Sequence, residues 1–217
     1  MTALLEWPVR LLRHTKLTVA PEPFTRSAGV SLSGREQIVG SLAMRWRLDF
    51  DLAAAPPEIA REWPGWVTAM QGRLRRALIP LDHHLLYDLR DAMEPYSDGD
   101  FFADGTGFIY RGAVTFTEVL AAGAASALIE TPPGHPLRIG DYFSLRGNLH
   151  QIIAPGRTGD VYPVWPPIPA SVEAGTEIET KPPRILARLA EDDSGALALA
   201  FGRWGDPTRV SFISEIR

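Results

Sequence analysis

Cysteine is absent from the 217 residues. No disulfide framework can staple this chain and no thiolate can act as nucleophile or metal ligand, which fits folding in a reducing compartment. Long apolar runs are also missing. No stretch approaches the ~20 residues of a membrane-spanning helix, and no basic segment followed by an apolar core opens the sequence, so neither a span nor a signal peptide is expected. There is no basic surplus: 22 Lys and Arg face 26 Asp and Glu, a formal net charge of -4, which argues against a non-specific nucleic-acid binder. The signatures of catalysis are missing too. Gly-x-Ser-x-Gly does not occur, there is no phosphate loop, and the lone Gly-x-Gly of Asp104–Gly107 opens no helix.

Metal chemistry fares no better. His83 and His84 are adjacent, and on an extended segment neighbouring side chains point to opposite faces, so the two cannot share one ion without a turn. The acidic, glycine-rich stretch Asp91–Gly107 carries Asp98, Asp100 and Asp104, but a calcium loop starting at Asp98 needs a carboxylate where Ile109 stands. It reads as a solvated connector between domains. No catalytic, cofactor-binding or metal-binding residue is expected, and the chain reads as a non-enzyme.

What is present is turn chemistry and alternation. Nineteen glycines and nineteen prolines, with 45% hydrophobic residues, favour a mainly β protein with many turns over a helical bundle. Leu42–Leu52 alternates strictly. Leu42, Met44, Trp46, Leu48, Phe50 and Leu52 are apolar, whereas Arg45, Arg47, Asp49 and Asp51 are charged, the pattern of a strand with one buried and one wet face. Thr15–Ala20 also alternates. Between these strands, Gly29–Ser41 is punctuated by Gly34 and Gly40 and reads as a surface loop.

One helix is expected. Ile59, Trp63, Trp66, Val67, Met70, Leu74 and Leu78 recur every three or four residues, with a kink or restart at Pro64. Phe108–Glu118 and Ala127–Glu130 start a second set of strands. Gly140–Ile153 holds two alternating runs about Gly147-Asn148, a hairpin signal. A second hairpin turns at Gly156–Asp160 into Val161–Trp165, which Pro166-Pro167 should stop. Glu177–Thr180 follows, then strands over Arg184–Ala190, Ala196–Phe201 and Arg209–Ile216. The expected fold is mainly β with one helix: a tube-like β-sandwich or barrel domain of residues 1–105 plus 183–217, with a small OB-like β-barrel of residues 106–182 inserted.

The order GDYFSLRGNLHQI … VYPVWPPIPASVEAGTEIETKPPRILARL, from Gly140 onward, resembles the distal tail protein group of long-tailed bacteriophages. Ser33-Gly34-Arg35-Glu36-Gln37 sits where that group has a similar stretch before its first long strand. The resemblance implies a structural virion protein of the tail tip or baseplate. It would be made in the bacterial host cytoplasm and form a ring, a hexamer in that group, at the distal end of the tail tube. Its implied partners are the tail tube protein, the tail hub protein and tail fibre or receptor-binding proteins, with DNA only in transit and no membrane. Arg45, Arg47, Asp49 and Asp51, charges of mixed sign with little net field, would then line the channel; on the residues alone they equally suit an ordinary exposed sheet face.

Two other classes stay open. A carbohydrate- or oligonucleotide-binding barrel would need Tyr142, Tyr162 and Trp165 exposed on one face. A metal-dependent hydrolase would need Asp82, His83 and the Asp98–Asp104 loop to converge on one ion.

Overall fold

The structure, a computed structural model, describes residues 4–8, 14–31, 33–52, 62–81, 92–94, 108–110, 113–131, 137–156, 161–180, 182–195 and 209–215. It is mainly β with a single helix among these residues. The chain divides into two compact units, residues 1–80 with 185–217 and residues 81–184. The first crossing lies earlier than the expected 105. Strand β5 (Ala92–Glu94) pairs antiparallel with β6 (Phe108–Tyr110), Met93 opposite Ile109, and so ties part of the acidic stretch to the second unit.

Among the described residues the first unit is one sheet and one helix. Its strands are β1 (Leu5–Glu6), β2 (His14–Val30), β3 (Glu36–Leu52), β4 (Ala77–Pro80), β13 (Arg184–Leu189) and β14 (Arg209–Ser214), in the order β1-β4-β13-β14-β3-β2. The alternation of Leu42–Leu52 does what it promised: Met44, Trp46, Leu48, Phe50 and Leu52 are buried. Helix α1 (Glu62–Met70) buries Trp63, Trp66 and Met70. Trp7 sits among them, its ring 5.4 Å from Phe50, 5.5 Å from Trp63, 5.1 Å from Trp66 and 5.6 Å from Phe212. Full burial of a large apolar side chain contributes about 1.5–3 kcal/mol, so this aromatic cluster anchors the unit.

The helix is shorter than its stripe. Pro64 lies in the first turn, where its missing N–H costs nothing, so α1 has no interior proline. It ends at Met70 because Gln71 (φ 52°) and Gly72 (φ 62°) both turn left-handed. Leu74, expected on the apolar stripe, is 83% exposed. A Cβ on Gly72 would lie 2.6 Å from Asp192 Oδ1, and that same oxygen accepts the Arg73 N–H at 3.1 Å.

Strands β2 and β3 correct a second expectation. Gly29–Ser41 is not a surface loop, because the hairpin runs on through it, with Arg26 opposite Val39 and Ser27 opposite Ile38. Gly34 (φ 79°) makes the tip turn and Gly29 (φ 96°) a bulge between Ser27 and Val30. The glycines mark a turn and a bulge within a ribbon.

The second unit carries a barrel. Strands β7 (Val114–Phe116), β8 (Ala124–Glu130), β9 (Tyr142–Leu145), β10 (Asn148–Ile152), β11 (Val161–Ile168) and β12 (Glu177–Ile178) follow the order β12-β7-β8-β11-β10-β9. Past β12, Ser144 and Glu179 exchange two backbone hydrogen bonds, 2.8 and 2.9 Å, which bring the two edges together. The near-closed ring has six antiparallel strands, one more than an oligonucleotide-binding barrel. Phe116, Ile129, Phe143, Ile152, Val164 and Ile168 fill it. The β9–β10 turn is Arg146-Gly147 (φ 51° and 82°), one residue earlier than expected, since Asn148 already pairs with Leu145. Pro166-Pro167 does not stop β11. The strand reaches Ile168, which pairs with Ala124 after a register shift, an irregularity of the kind that lets prolines sit in a strand. The segments 82–91, 95–107, 157–160 and 196–208 lie outside the described residues, and with them the expected strand Ala196–Phe201.

Candidate functional site

Among the described residues, polar or exposed groups gather on two surfaces of the first unit and, in the second, around Glu179 and at His150. The first is the wet face of the sheet. Arg45, Arg47, Asp49 and Asp51 alternate with the buried residues of β3, so pleating puts all four on the face away from Trp46 and Phe50. Strand pairing then supplies neighbours that the local sequence does not reveal. Glu22 stands opposite Arg45, Ser211 opposite Asp49, and Asp51 opposite both Lys16 and Arg209.

Arg45 Nε lies 2.6 Å from Glu22, and Arg47 lies 3.7 Å from Glu22 and 3.3 Å from Asp49. Arg209 reaches Asp49 at 3.5 Å, and the Ser211 hydroxyl donates to the same carboxylate. Burial alone would raise the pKa of Asp49, whose side chain is 13% exposed. The Ser211 hydroxyl, Arg47 and Arg209 together outweigh it and hold that carboxyl below its ordinary value. Every one of these cations has a nearby anion. The face is a self-neutralised lattice across three strands, with no hydroxyl–imidazole pair among its described side chains for nucleophilic chemistry.

The second surface is the distal ribbon of β2 and β3. Residues 23–30 and 36–40 are exposed, with Phe24 at 41%, Val30 at 68%, Ile38 at 64% and Val39 at 57%. The Arg45 guanidinium sits 5.6 Å from the Phe24 ring centroid. The tip is tied by Ser31 N–H to Arg35 O and Gly34 N–H to Ser31 O, both 2.8 Å.

In the second unit, Glu179 accepts from Arg184 and from the Ser144 hydroxyl, the latter at 3.0 Å. The Arg184 hydrogen bond holds Glu179 below the usual carboxylate range, against burial that raises it, with Ser144 assisting. Ser144 Oγ also accepts the Arg184 N–H at 2.9 Å, so this cluster clasps the barrel seam. His150 is wholly buried, stacked on Phe143 at 5.3 Å.

The aromatic trio required for a ligand platform does not assemble. Tyr162 is 2% exposed and belongs to the barrel core, whereas Trp165 lies on the opposite face of its strand, in register with Gln151 and, beyond it, Tyr142. Tyr142 is itself buried, which raises its pKa. The residues of the hydrolase alternative, Asp82, His83 and Asp98–Asp104, lie outside the described residues. Among the described residues no three His, Asp or Glu side chains gather as metal ligands, and no helix is long and apolar enough to cross a membrane. No family model matches the sequence, and no curated protein is similar to it.

Proposed function

We propose that this chain is a structural, non-enzymatic virion protein. It forms a ring at the distal end of a phage tail tube and joins the tube to the hub and the receptor-binding parts. The first unit builds the ring, the inserted barrel decorates it, and the lattice bearing Arg45, Arg47, Asp49 and Asp51 faces the channel. The observation that carries the reading is that lattice. A sheet sealed on one side by an aromatic core presents on the other a wall of charges that cancel locally. Such a wall stays hydrated yet offers passing DNA little net field, so it releases phosphates readily. The likeness of Gly140–Pro183 to distal tail proteins supports the same reading.

The test is a reconstruction of virion tail tips together with labelling by an antibody to this chain. Label at the tip, and several copies of the first unit around an axis with Arg47 and Asp49 facing inward, is the expected result. Absence of the chain from the tail overturns the whole reading. A ring with those side chains on its outer rim overturns the channel assignment alone.

A further inference from the structure

The distal ribbon has two faces, and their chemistry differs in sign. Pairing places Val30, Glu36 and Ile38 on one face, continuous with the core side of the sheet. Phe24, Arg26 and Val39 lie on the other, where the Arg45–Phe24 contact confirms the side. Each face thus offers an apolar pair beside one charge, acidic on the first and basic on the second. Arg26 and Glu36 form no ion pair with another described residue. A two-stranded ribbon with both faces in water is marginal by itself, and its exposed apolar residues mark a contact surface.

From this geometry we infer that the ribbon stacks head to tail on the ribbon of a second copy of this chain, the Glu36–Ile38 face of one against the Arg26–Val39 face of the next. Opposite charges on opposite faces favour a heterologous contact, in which each copy uses both faces and the array closes into a ring. Contact through the strand edge is disfavoured, because Pro21 and Pro23 on β2 lack N–H donors. The seven residues from Phe24 to Val30 extend about 23 Å at ~3.3 Å each, and two strands are about 10 Å wide. One stacked contact therefore buries about 500 Å² in total, below what holds a stable pair. Copies should accordingly pass from monomer to closed ring without a stable dimer. The inference rests on the assembly part of the proposed function and names the surface that performs it.

Sedimentation velocity of the purified full chain over a concentration series tests it, on wild type, R26E, E36R, the double variant R26E/E36R, and an equimolar mixture of the two single variants. Circular dichroism checks that these exposed substitutions leave the fold intact. Wild type should show monomer and one closed oligomer. Each single variant should weaken assembly at least about tenfold, because like charges then face each other. The double variant and the mixture should both recover it. Assembly unchanged in the single variants, failure of the double variant or the mixture to recover, or a wild type monomeric up to about 1 mM each overturns the ribbon contact. None of these outcomes touches the tail reading, which falls only if the chain is missing from tail tips.

Discussion

His150 shows how one residue couples burial to pH. Its Nδ1 lies 2.7 Å from the Pro166 carbonyl, and a carbonyl only accepts, so Nδ1 carries the hydrogen. Nε2 is then the bare lone pair, buried with no partner among the described residues. A proton there would place a charge in the barrel core, and burial lowers the pKa from 6.5 to about 4, against the Pro166 bond that raises it. The unfolded chain takes that proton below pH 6.5 while the native barrel refuses it. Stability is therefore full above pH 6.5 and is lost as pH falls toward 4, by about 3 kcal/mol in all. Denaturant titrations at pH 7 and pH 5 should show this slope, and His150→Gln, which keeps a donor for Pro166 but does not titrate, should flatten it. Asp49 is the counterpart in the first unit, the shared acceptor of Arg47, Arg209 and Ser211. Asp49→Asn should lower stability by about 1–2 kcal/mol, because these donors lose a charged acceptor. A loss within error would show that the lattice is slack.

Among the elements, turns test the packing most directly. Gly195 (φ 84°) closes the turn after β13, and a Cβ there would lie 3.0 Å from the Trp63 ring and 3.2 Å from Val210. Gly175 (φ 78°) has nothing within 4 Å. Both positions are left-handed, so Gly→Ala costs about 1 kcal/mol at either for the backbone alone. Gly195→Ala should cost at least about 1 kcal/mol more, since it also pushes on the indole whose N–H donates to Gly195 O at 2.7 Å. Equal melting temperatures for the two variants would refute that packing. The same elements show what the sequence made legible. The strict alternation of Leu42–Leu52 revealed both faces of β3, and with them the four charged residues of the lattice. Their partners Glu22, Ser211 and Arg209 come from strands that only long-range pairing brings alongside, and no local pattern announces them. The ribbon leaves no trace in the local pattern, because both its faces are wet and carry no alternation, and its glycines look like those of a loop. The apolar stripe runs longer than the helix, because Leu74 continues it past Met70 where the left-handed Gln71 and Gly72 have already ended the helix.

At the scale of the molecule, the division into two units has a mechanical consequence. Leu81 N–H donates to Pro183 O at 2.9 Å, so the chain leaves for the second unit and returns from it through adjacent backbone. All six strands of the first sheet pair with one another, and all six strands of the barrel do the same. Excision of residues 82–182 therefore cuts no strand ladder among the described residues, and a short Gly/Ser linker can bridge the gap, because insertions with close ends tolerate removal. The remnant, residues 1–81 joined to 183–217, should be soluble and melt cooperatively. It should also keep the near-ultraviolet dichroism of the Trp7, Trp63 and Trp66 cluster, whose members all belong to it. The acid-dependent loss of stability belongs to the excised part, since His150 goes with the barrel. A remnant that stays folded but keeps the slope between pH 7 and pH 5 would move the titrating group out of the barrel. A remnant that loses its near-ultraviolet signal would show that the aromatic core needs the barrel to form.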